Sequence, residues 1–167
     1  MTSRGMRVVE FNVRFGDPET QVVLPRLRSP LGQLLFAAAR GELPSAPLEW
    51  ADEAAVGVVL AAAGYPGKVR TGDPITGVLA AEEIPGAHVI HAGTRSDGNA
   101  PAGLVSAGGR VLAVVGEGHT LTDARSVAYQ AIERIELADS YYRHDIAETA
   151  STNSTQPPDT VRSHGLT

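Results

Sequence analysis

The amino-acid sequence predicts an α+β fold, because segments with the periodicity of strands and of helices occur in the same chain. Residues 6–15 alternate apolar and polar side chains, which is the two-residue period of a strand with one apolar face. Residues 54–63 form a continuous run of small and branched apolar residues, as in a buried strand. Residues 120–135 repeat apolar side chains at the spacing of an amphipathic helix. The 167 residues suffice for one ordinary domain or two small ones.

The first strand is predicted to lead into a turn and two short helices. Asp17 is a favourable N-cap, Pro18 suits the first helical position and Glu19 lies at the positive end of the helix dipole. Pro25 lacks a backbone N–H, so it should end this helix early. A second helix is expected over residues 30–41, with a glycine at its C-terminal end.

The remaining chain is predicted to follow a proline-containing loop at residues 42–52. Strands are expected at residues 88–92, 104–106 and 110–115. Since Gly108 and Gly109 separate the last two strands, the pattern predicts that these strands form a hairpin.

The C-terminal part is predicted to contain a turn, a long helix and a tail. The glycine-containing residues 116–118 indicate the turn, and they lack the spacing of a dinucleotide-binding fingerprint. Thr120 and Asp123 resemble a capping box at the start of the helix. After residue 146 the apolar content falls, and the Ser-, Thr- and Pro-rich end predicts a disordered tail.

The composition excludes several classes of function. The chain has 14 basic and 19 acidic residues, and the net charge of −5 argues against a nucleic-acid surface. Cysteine is absent, which excludes disulfides, thiolate catalysis and zinc–cysteine sites. No segment approaches the ~18 consecutive apolar residues that cross a bilayer, and the first residues do not read as a signal peptide. We therefore expect a cytoplasmic protein.

The strongest candidate site lies on the first predicted strand. Glu10, Asn12 and Arg14 would project from one side, because residues two apart in a strand share a face. A carboxylate beside an amide oxygen is a pair of hard oxygen donors suited to Mg²⁺, and an arginine beside them could bind phosphate oxygens. The alternative is a solvated strand face with an incidental ion pair.

Other candidate residues favour structural roles. His88 and His91 face opposite sides of a predicted strand, which suits metal chelation badly. His119 is expected in a loop, and the aromatic and charged residues 141–145 at the edge of the core. Trp50 is expected to fill a seam between two domains.

Residues 10–21 resemble the last metal-binding segment of the phosphoribosylamine–glycine ligase family, part of the ATP-grasp superfamily. The glutamate, asparagine and arginine at alternate positions are common to many ATP-grasp enzymes, and the extension through residues 16–21 indicates this family. The resemblance covers about residues 5–148. Further landmarks occur in the family order at residues 24–27, 64–67, 70–73, 91–94, 108–112 and 143–146.

This resemblance implies an ATP-dependent ligase of de novo purine synthesis. The glycine carboxylate is activated as an acyl phosphate and attacked by the amine of 5-phosphoribosylamine, which gives glycinamide ribonucleotide, ADP and phosphate. Glu10 and Asn12 would bind the Mg²⁺ or Mn²⁺ that bridges the ATP phosphates, and Arg14 would stabilise the transferring phosphoryl group. Asp17 and Glu19 would lie either near the substrate or at the helix cap.

Family members are much longer than this chain, and the resemblance implies how its residues are organised. Residues 1–41 would be the C-terminal part of an ATP-grasp domain, 42–52 a linker, 53–148 a small C-terminal α+β domain and 149–167 the tail. The nucleotide-binding lysines of the family precede this region, and the single lysine, Lys68, falls in the small domain. We therefore expect the isolated chain to be inactive, and to bind the amino-terminal part of the enzyme or to self-associate.

Two other interpretations are compatible with the sequence. The chain could be a non-catalytic α+β remnant that acts as a binding module, or part of a different ATP-grasp ligase, which residues 16–21 disfavour. If the chain is part of a phosphoribosylamine–glycine ligase, its expected partners are ATP, glycine and 5-phosphoribosylamine, with no nucleic acid or membrane. Coding sequence upstream of Met1 for the rest of an ATP-grasp domain would favour the ligase.

Overall fold

The computed structural model describes residue 8, residue 11 and residues 13–153, and it confirms the α+β class. The helices are α1 (Glu19–Val23), α2 (Leu31–Arg40), α3 (Val78–Glu82), α4 (Leu121–Ile132) and α5 (Glu148–Asn153), with a 3₁₀ turn at Leu24–Arg26. The strands are β1 (Ala54–Ala61), β2 (Ile75–Thr76), β3 (Ala87–His91), β4 (Thr94–Ser96), β5 (Leu104–Ser106), β6 (Arg110–Gly118) and β7 (Glu136–Leu137). In this part of the chain no helix is long and apolar enough to cross a membrane.

The core lies between a three-stranded antiparallel sheet and helix α4. The strand order is β1-β6-β3, so β6 is paired on both sides. Residues 111–116 of β6 are all buried, which explains why this strand reads as a continuous apolar run. Helix α4 contributes fully buried Ala124, Ala128 and Ala131, whose small side chains let the helix approach the sheet closely.

Close packing of α4 on the sheet contradicts the predicted turn at residues 116–118. These residues end strand β6, and Gly116 lies directly under the helix. A Cβ atom at Gly116 would lie only 2.9 Å from the Cα of Ala128. The glycines therefore serve the contact between strand and helix, a common use of glycine inside a strand.

The predicted hairpin across Gly108 and Gly109 is also wrong. Strand β5 pairs with β4, whereas β6 pairs with β1 and β3. The backbone at this point passes close to Gly93: the Ala107 amide donates to the Gly93 carbonyl at 2.7 Å, and a Cβ at Gly108 would be 3.2 Å from the Gly93 Cα. The glycines permit this crossing between two sheets, which the sequence pattern does not distinguish from a hairpin.

The capping prediction for α4 is confirmed and that for α1 is wrong. The Thr120 side chain accepts a hydrogen bond from the Asp123 amide, and the Asp123 carboxylate accepts one from the Thr120 amide. Helix α1 instead has Pro18 at its N-cap, with no side-chain capping bond. Asp17 does not cap this helix because its carboxylate binds Arg110 and Gln21.

The N-terminal segment packs loosely within the described part of the chain. Residues 11 and 13–15 form no strand, and Phe11 and Val13 are 82% and 94% exposed. No strand among the described residues pairs with them, and an unpaired strand is not stable in water. Helix α2 ends at Gly41 in the left-handed region (φ 71°) as predicted, yet none of its side chains is buried.

The C-terminal end continues past the predicted start of the tail at residue 149. Helix α5 runs through residue 153, and the Thr122 hydroxyl of α4 donates to the Ser151 carbonyl at 3.3 Å. The rest of the predicted tail, residues 154–167, lies outside the described residues.

Candidate functional site

The predicted site residues lie on the N-terminal segment, and Arg14 is the one that the structure describes. Glu10 and Asn12, the predicted metal ligands, lie outside the described residues. The Arg14 side chain is exposed, and its Nη1 donates to the neighbouring Phe15 carbonyl at 2.7 Å. It forms no ion pair with another described residue.

The segment that follows Arg14 is fixed to the domain through Asp17. Arg110 Nη2 lies 2.7 Å from Asp17 Oδ2, and Arg110 Nη1 donates to the Asp17 backbone carbonyl at 3.2 Å. The other carboxylate oxygen, Oδ1, accepts from Gln21 Nε2 at 2.9 Å. Asp17 therefore links helix α1 to the first residue of strand β6.

Helix α1 rests on the outer face of the sheet where β1 has no side chain. A Cβ at Gly57 would lie 2.6 Å from Cγ2 of Val22, so the valine occupies the place that a larger residue would take. Val115 lies directly across the sheet from Gly57 and is fully buried. The short helix thus covers part of the sheet face opposite α4.

A second attachment lies at the end of the same segment. Arg26 donates to the carbonyls of Glu53 and Ala51 at 2.7 and 3.1 Å. Leu27 and Trp50 form an isolated antiparallel bridge beside it. Trp50 remains 45% exposed, so the contact here is made through the backbone and the expected filling of a seam by its indole is not seen among these residues.

Several of the sequence landmarks meet at one cavity beside Arg110. The cavity has a volume of about 380 Å³ and brings together parts of residues 10–21, 64–67, 108–112 and 143–146. Its walls include Pro18, Tyr65, Arg110, Tyr141 and Arg143. Phenol and guanidinium groups at its rim give it hydrogen-bond donors, and both arginines are already paired with carboxylates.

The landmark at residues 143–146 is held by its backbone. Tyr129 donates from its hydroxyl to the Arg143 carbonyl at 2.7 Å, and Arg125 donates to the His144 and Ile146 carbonyls at 2.7 and 2.9 Å. The side chain of Arg143 is left to bind both carboxylate oxygens of Asp145, at 2.9 and 2.6 Å. This pairing raises the pKa of Arg143 and lowers the pKa of Asp145.

The landmark at residues 70–73 forms a structural turn. Arg70 Nε binds Asp73 Oδ2 at 2.6 Å, and its other nitrogens bind Asp139 Oδ2 and the Ala138 carbonyl at 2.9 and 3.0 Å. The two carboxylates raise the pKa of Arg70, with Asp73 the larger influence. Buried Ser106 accepts from the Asp73 amide at 3.1 Å through its hydroxyl, which joins the turn to β5.

The two histidines of β3 contact different partners. His88 Nε2 lies 3.3 Å from Glu117 Oε1, and His91 Nδ1 lies 3.1 Å from the Thr94 hydroxyl. No group of three or more His, Cys, Asp or Glu side chains within residues 8, 11 and 13–153 is placed to hold a metal ion.

Sequence reasoning missed Arg110. The residue belongs to the landmark at 108–112, but nothing in the local pattern predicts that its guanidinium reaches a residue 93 positions earlier in the chain. The available signal was that one landmark contains an acidic residue, Asp17, and another contains a basic one, Arg110. Their order in the sequence does not show that the two are in contact.

Comparison with known proteins identifies the family. A family model described as phosphoribosylglycinamide synthetase, C domain, matches residues 55–149. The phosphoribosylamine–glycine ligase of Streptomyces coelicolor is 59% identical over 154 residues, which cover 90% of this chain and 36% of that protein. The chloroplastic phosphoribosylamine–glycine ligase of Arabidopsis thaliana is 46% identical over 143 residues, 84% of this chain and 26% of that protein.

A solved structure agrees with the sequence comparisons. The crystal structure of phosphoribosylamine–glycine ligase from Thermotoga maritima matches with a TM-score of 0.69 and 35% identity, and the match covers 84% of this chain and 33% of that chain. The chain spans about a third of the length of these bacterial relatives. The resemblance seen in the sequence is confirmed, and the chain belongs to the phosphoribosylglycinamide synthetase C-domain family.

Proposed function

We propose that this chain supplies the C-terminal part of a phosphoribosylamine–glycine ligase. The reaction joins glycine to 5-phosphoribosylamine with ATP and gives glycinamide ribonucleotide, ADP and phosphate. The observation that carries the proposal is the 59% identity to a ligase over 90% of this chain. Because the match spans 36% of that ligase, the ATP site would be completed by protein corresponding to the rest of its length.

The N-terminal segment would contribute the charged groups that act on the phosphates. Glu10 and Asn12 supply a carboxylate and an amide oxygen, donors that fit Mg²⁺ or Mn²⁺, and the metal would keep its other positions for phosphate oxygens and water. Arg14 would stabilise the transferring phosphoryl group. Its support is an exposed guanidinium that, within the described residues, is not neutralised by a carboxylate.

These roles imply a domain organisation for the chain. Residues 1–41 would belong with the ATP-binding part, and residues 53–148 would form the small C-terminal domain joined through residues 42–52. The contacts of Asp17 and Arg26 with the small domain support a fixed relation between the two parts. Residues 149–167 would take no part in the reaction.

The test is product formation by the chain alone and by a chimera. In the chimera, the aligned residues of this chain replace their counterparts in the Streptomyces coelicolor ligase. We expect no ATP- and glycine-dependent glycinamide ribonucleotide from the purified chain, and ligation by the chimera. Ligation by the chain alone would contradict the incomplete ATP site, and a folded but inactive chimera would leave the non-catalytic binding module as the better interpretation.

Variants of the chimera test the individual roles. The substitution Arg14→Gln removes the guanidinium and should lower kcat by about 10²–10³-fold, the usual loss when one donor to a developing charge is removed. Glu10→Gln should raise the Mg²⁺ concentration needed for half-maximal activity. The matched control is Arg95→Gln in β4, which removes an arginine that pairs with Asp97 within the small domain. Equal effects of Arg14→Gln and the control would contradict the assigned role.

A further inference from the structure

Arg110 stands where the central strand of the three-stranded sheet meets the N-terminal segment. It is the first residue of β6, whose next six residues are buried and which is paired along residues 112–116 with both β1 and β3. Its side chain is 41% exposed and points away from the core toward Asp17. The planar guanidinium can bind two acceptors of one partner at once, so a single arginine on a paired strand can restrain that partner.

The contact between Arg110 and Asp17 restrains both the side chain and the backbone of Asp17. One guanidinium nitrogen binds the carboxylate at 2.7 Å, and the other binds the Asp17 carbonyl at 3.2 Å. Gln21 holds the remaining carboxylate oxygen, so the first turn of α1 is included in the same network. Two contacts with Arg110 therefore define the position of residue 17 relative to β6, and the bond from Gln21 joins it to α1.

We propose that Arg110 is a positioning residue that fixes residues 14–21 against the sheet and thereby orients Arg14. The proposal rests on the proposed function for the role of Arg14. Arg14 lies three residues before Asp17, within about 10 Å of it along even a fully extended chain. A displacement of about 1 Å in a catalytic group can cost on the order of 10²-fold in rate, so a tether this near to Arg14 affects the reaction.

If Arg110 only stabilised the domain as a whole, its loss would speed hydrogen exchange throughout β6, whereas a positioning role predicts a local effect. An exposed pair contributes little to global stability, because solvent screens it and two side chains lose freedom. Loss of the Arg110 guanidinium should therefore leave the core intact and release only the segment. Local opening and global unfolding separate in hydrogen exchange, which reports each part of the chain independently.

The first experiment measures hydrogen exchange in the full chain. The reporter is the Thr20 amide, which donates to the Gly16 carbonyl at 3.1 Å in the segment that Asp17 anchors. Arg110→Gln and Asp17→Asn should each speed exchange there by up to about fivefold, with no change in β6. The double variant should exchange no faster than either single variant, and Arg95→Gln should match the unsubstituted chain.

Two results of this experiment would overturn the proposal. Unchanged exchange at Thr20 in Arg110→Gln would show that the segment is held without it. Faster exchange throughout β6 would show that Arg110 stabilises the domain as a whole. The variant Asp17→Asn keeps the shape of the side chain and lies outside the sheet, so it gives an answer even if Arg110→Gln folds poorly.

The second experiment measures kcat and KM in the ligase chimera. Arg110→Gln should lower kcat by about tenfold with little change in the KM for ATP, because the misplaced group acts in the transition state. Arg110→Lys should recover part of the lost kcat, because an ammonium keeps the positive charge but cannot bind two acceptors in the planar geometry of a guanidinium. Unchanged kcat in Arg110→Gln would overturn the link to Arg14. An inactive parent chimera would contradict the proposed function, while the exchange data would still decide whether Arg110 positions the segment.

Discussion

The contact between strand β6 and helix α4 provides the sharpest stability prediction, the substitution Gly116→Ala. An added Cβ would lie 2.9 Å from the Cα of Ala128, whereas carbon atoms pack best at about 3.5–4.0 Å. The neighbouring atoms are helix backbone, so no side-chain rotation relieves the clash. The Ala124 carbonyl oxygen and the Ala128 amide nitrogen would lie closer still, so helix α4 would have to move outward by more than about 0.6 Å, which loosens the fully buried Ala124 and Ala128.

The expected decrease in the free energy of unfolding for Gly116→Ala is the balance of two opposing contributions. Overpacking a core costs about 1–3 kcal/mol, and replacing a strand glycine by alanine returns about 0.5–1 kcal/mol of backbone entropy. We therefore expect the free energy of unfolding to fall by about 1–2 kcal/mol. Urea denaturation monitored by far-UV circular dichroism should show a lower midpoint urea concentration, with an unchanged dependence of the free energy of unfolding on urea.

Gly98→Ala is the matched control for this substitution. Gly98 lies in an exposed turn, has no atom within 4 Å of its missing Cβ and does not require a left-handed backbone. Its substitution should change the free energy of unfolding by no more than about 0.5 kcal/mol. Equal stability of Gly116→Ala and Gly98→Ala would refute the argument that backbone contact sets the distance between α4 and the sheet.

Three further predictions concern a helix cap, an ion pair and the N-terminal segment. Thr120→Ala removes the capping box of α4 and should lower the free energy of unfolding by about 1 kcal/mol in the same urea assay, a loss that Thr120→Ser should largely avoid. The lowered pKa of Asp145 means that its pairing stabilises the fold above the ordinary carboxylate range and is lost as the pH falls through the lowered value. Carboxylate titration by NMR should therefore show a higher midpoint in Arg143→Gln. Because Phe11, Val13 and Phe36 are 82%, 94% and 66% exposed, the isolated chain should self-associate, and a monomer at all concentrations in sedimentation would contradict this.

The elements that the sequence predicts correctly are those whose signals are local. The capping box of α4 needs only residues three apart, and the left-handed Gly41 ends α2 through its own backbone freedom. Strand β1 is recognisable as a continuous apolar run, because none of its residues is exposed. Such features depend on a few neighbouring residues, and tertiary structure does not override them here.

The errors arise where a distant partner competes with a local preference. Asp17 has the side chain of an N-cap, yet Arg110 binds its carboxylate and Pro18 takes the cap position. Gly108 and Gly109 have the composition of a hairpin turn, yet β6 pairs with β1 and β3 because its two apolar faces and both edges require covering. Strand pairing is decided by contacts that are far apart in sequence, and periodicity carries no information about them.

The sequence proposes residue types for the candidate site, but it does not predict the geometry around them. Glu10, Asn12 and Arg14 follow from two-residue periodicity and the family resemblance, and they stay a prediction because the first two lie outside the described residues. The cavity beside Arg110 joins four of the sequence landmarks with part of strand β1. No local pattern brings those segments together, so their meeting could be found only from the fold.

The unusual ratio of thirteen arginines to one lysine, Lys68, now has a structural explanation. Arg26 and Arg125 each bind two backbone carbonyls of a distant segment, while Arg70 and Arg110 each bind a carbonyl together with a carboxylate. Each contact uses two or more nitrogens of one planar group to fix two acceptors at once. A lysine ammonium has no such planar set of donors, so substitution by lysine would keep the charge and lose the geometry. These four arginines therefore tie together segments that secondary structure alone leaves separate, whereas the Arg14 side chain donates to the carbonyl of the neighbouring Phe15.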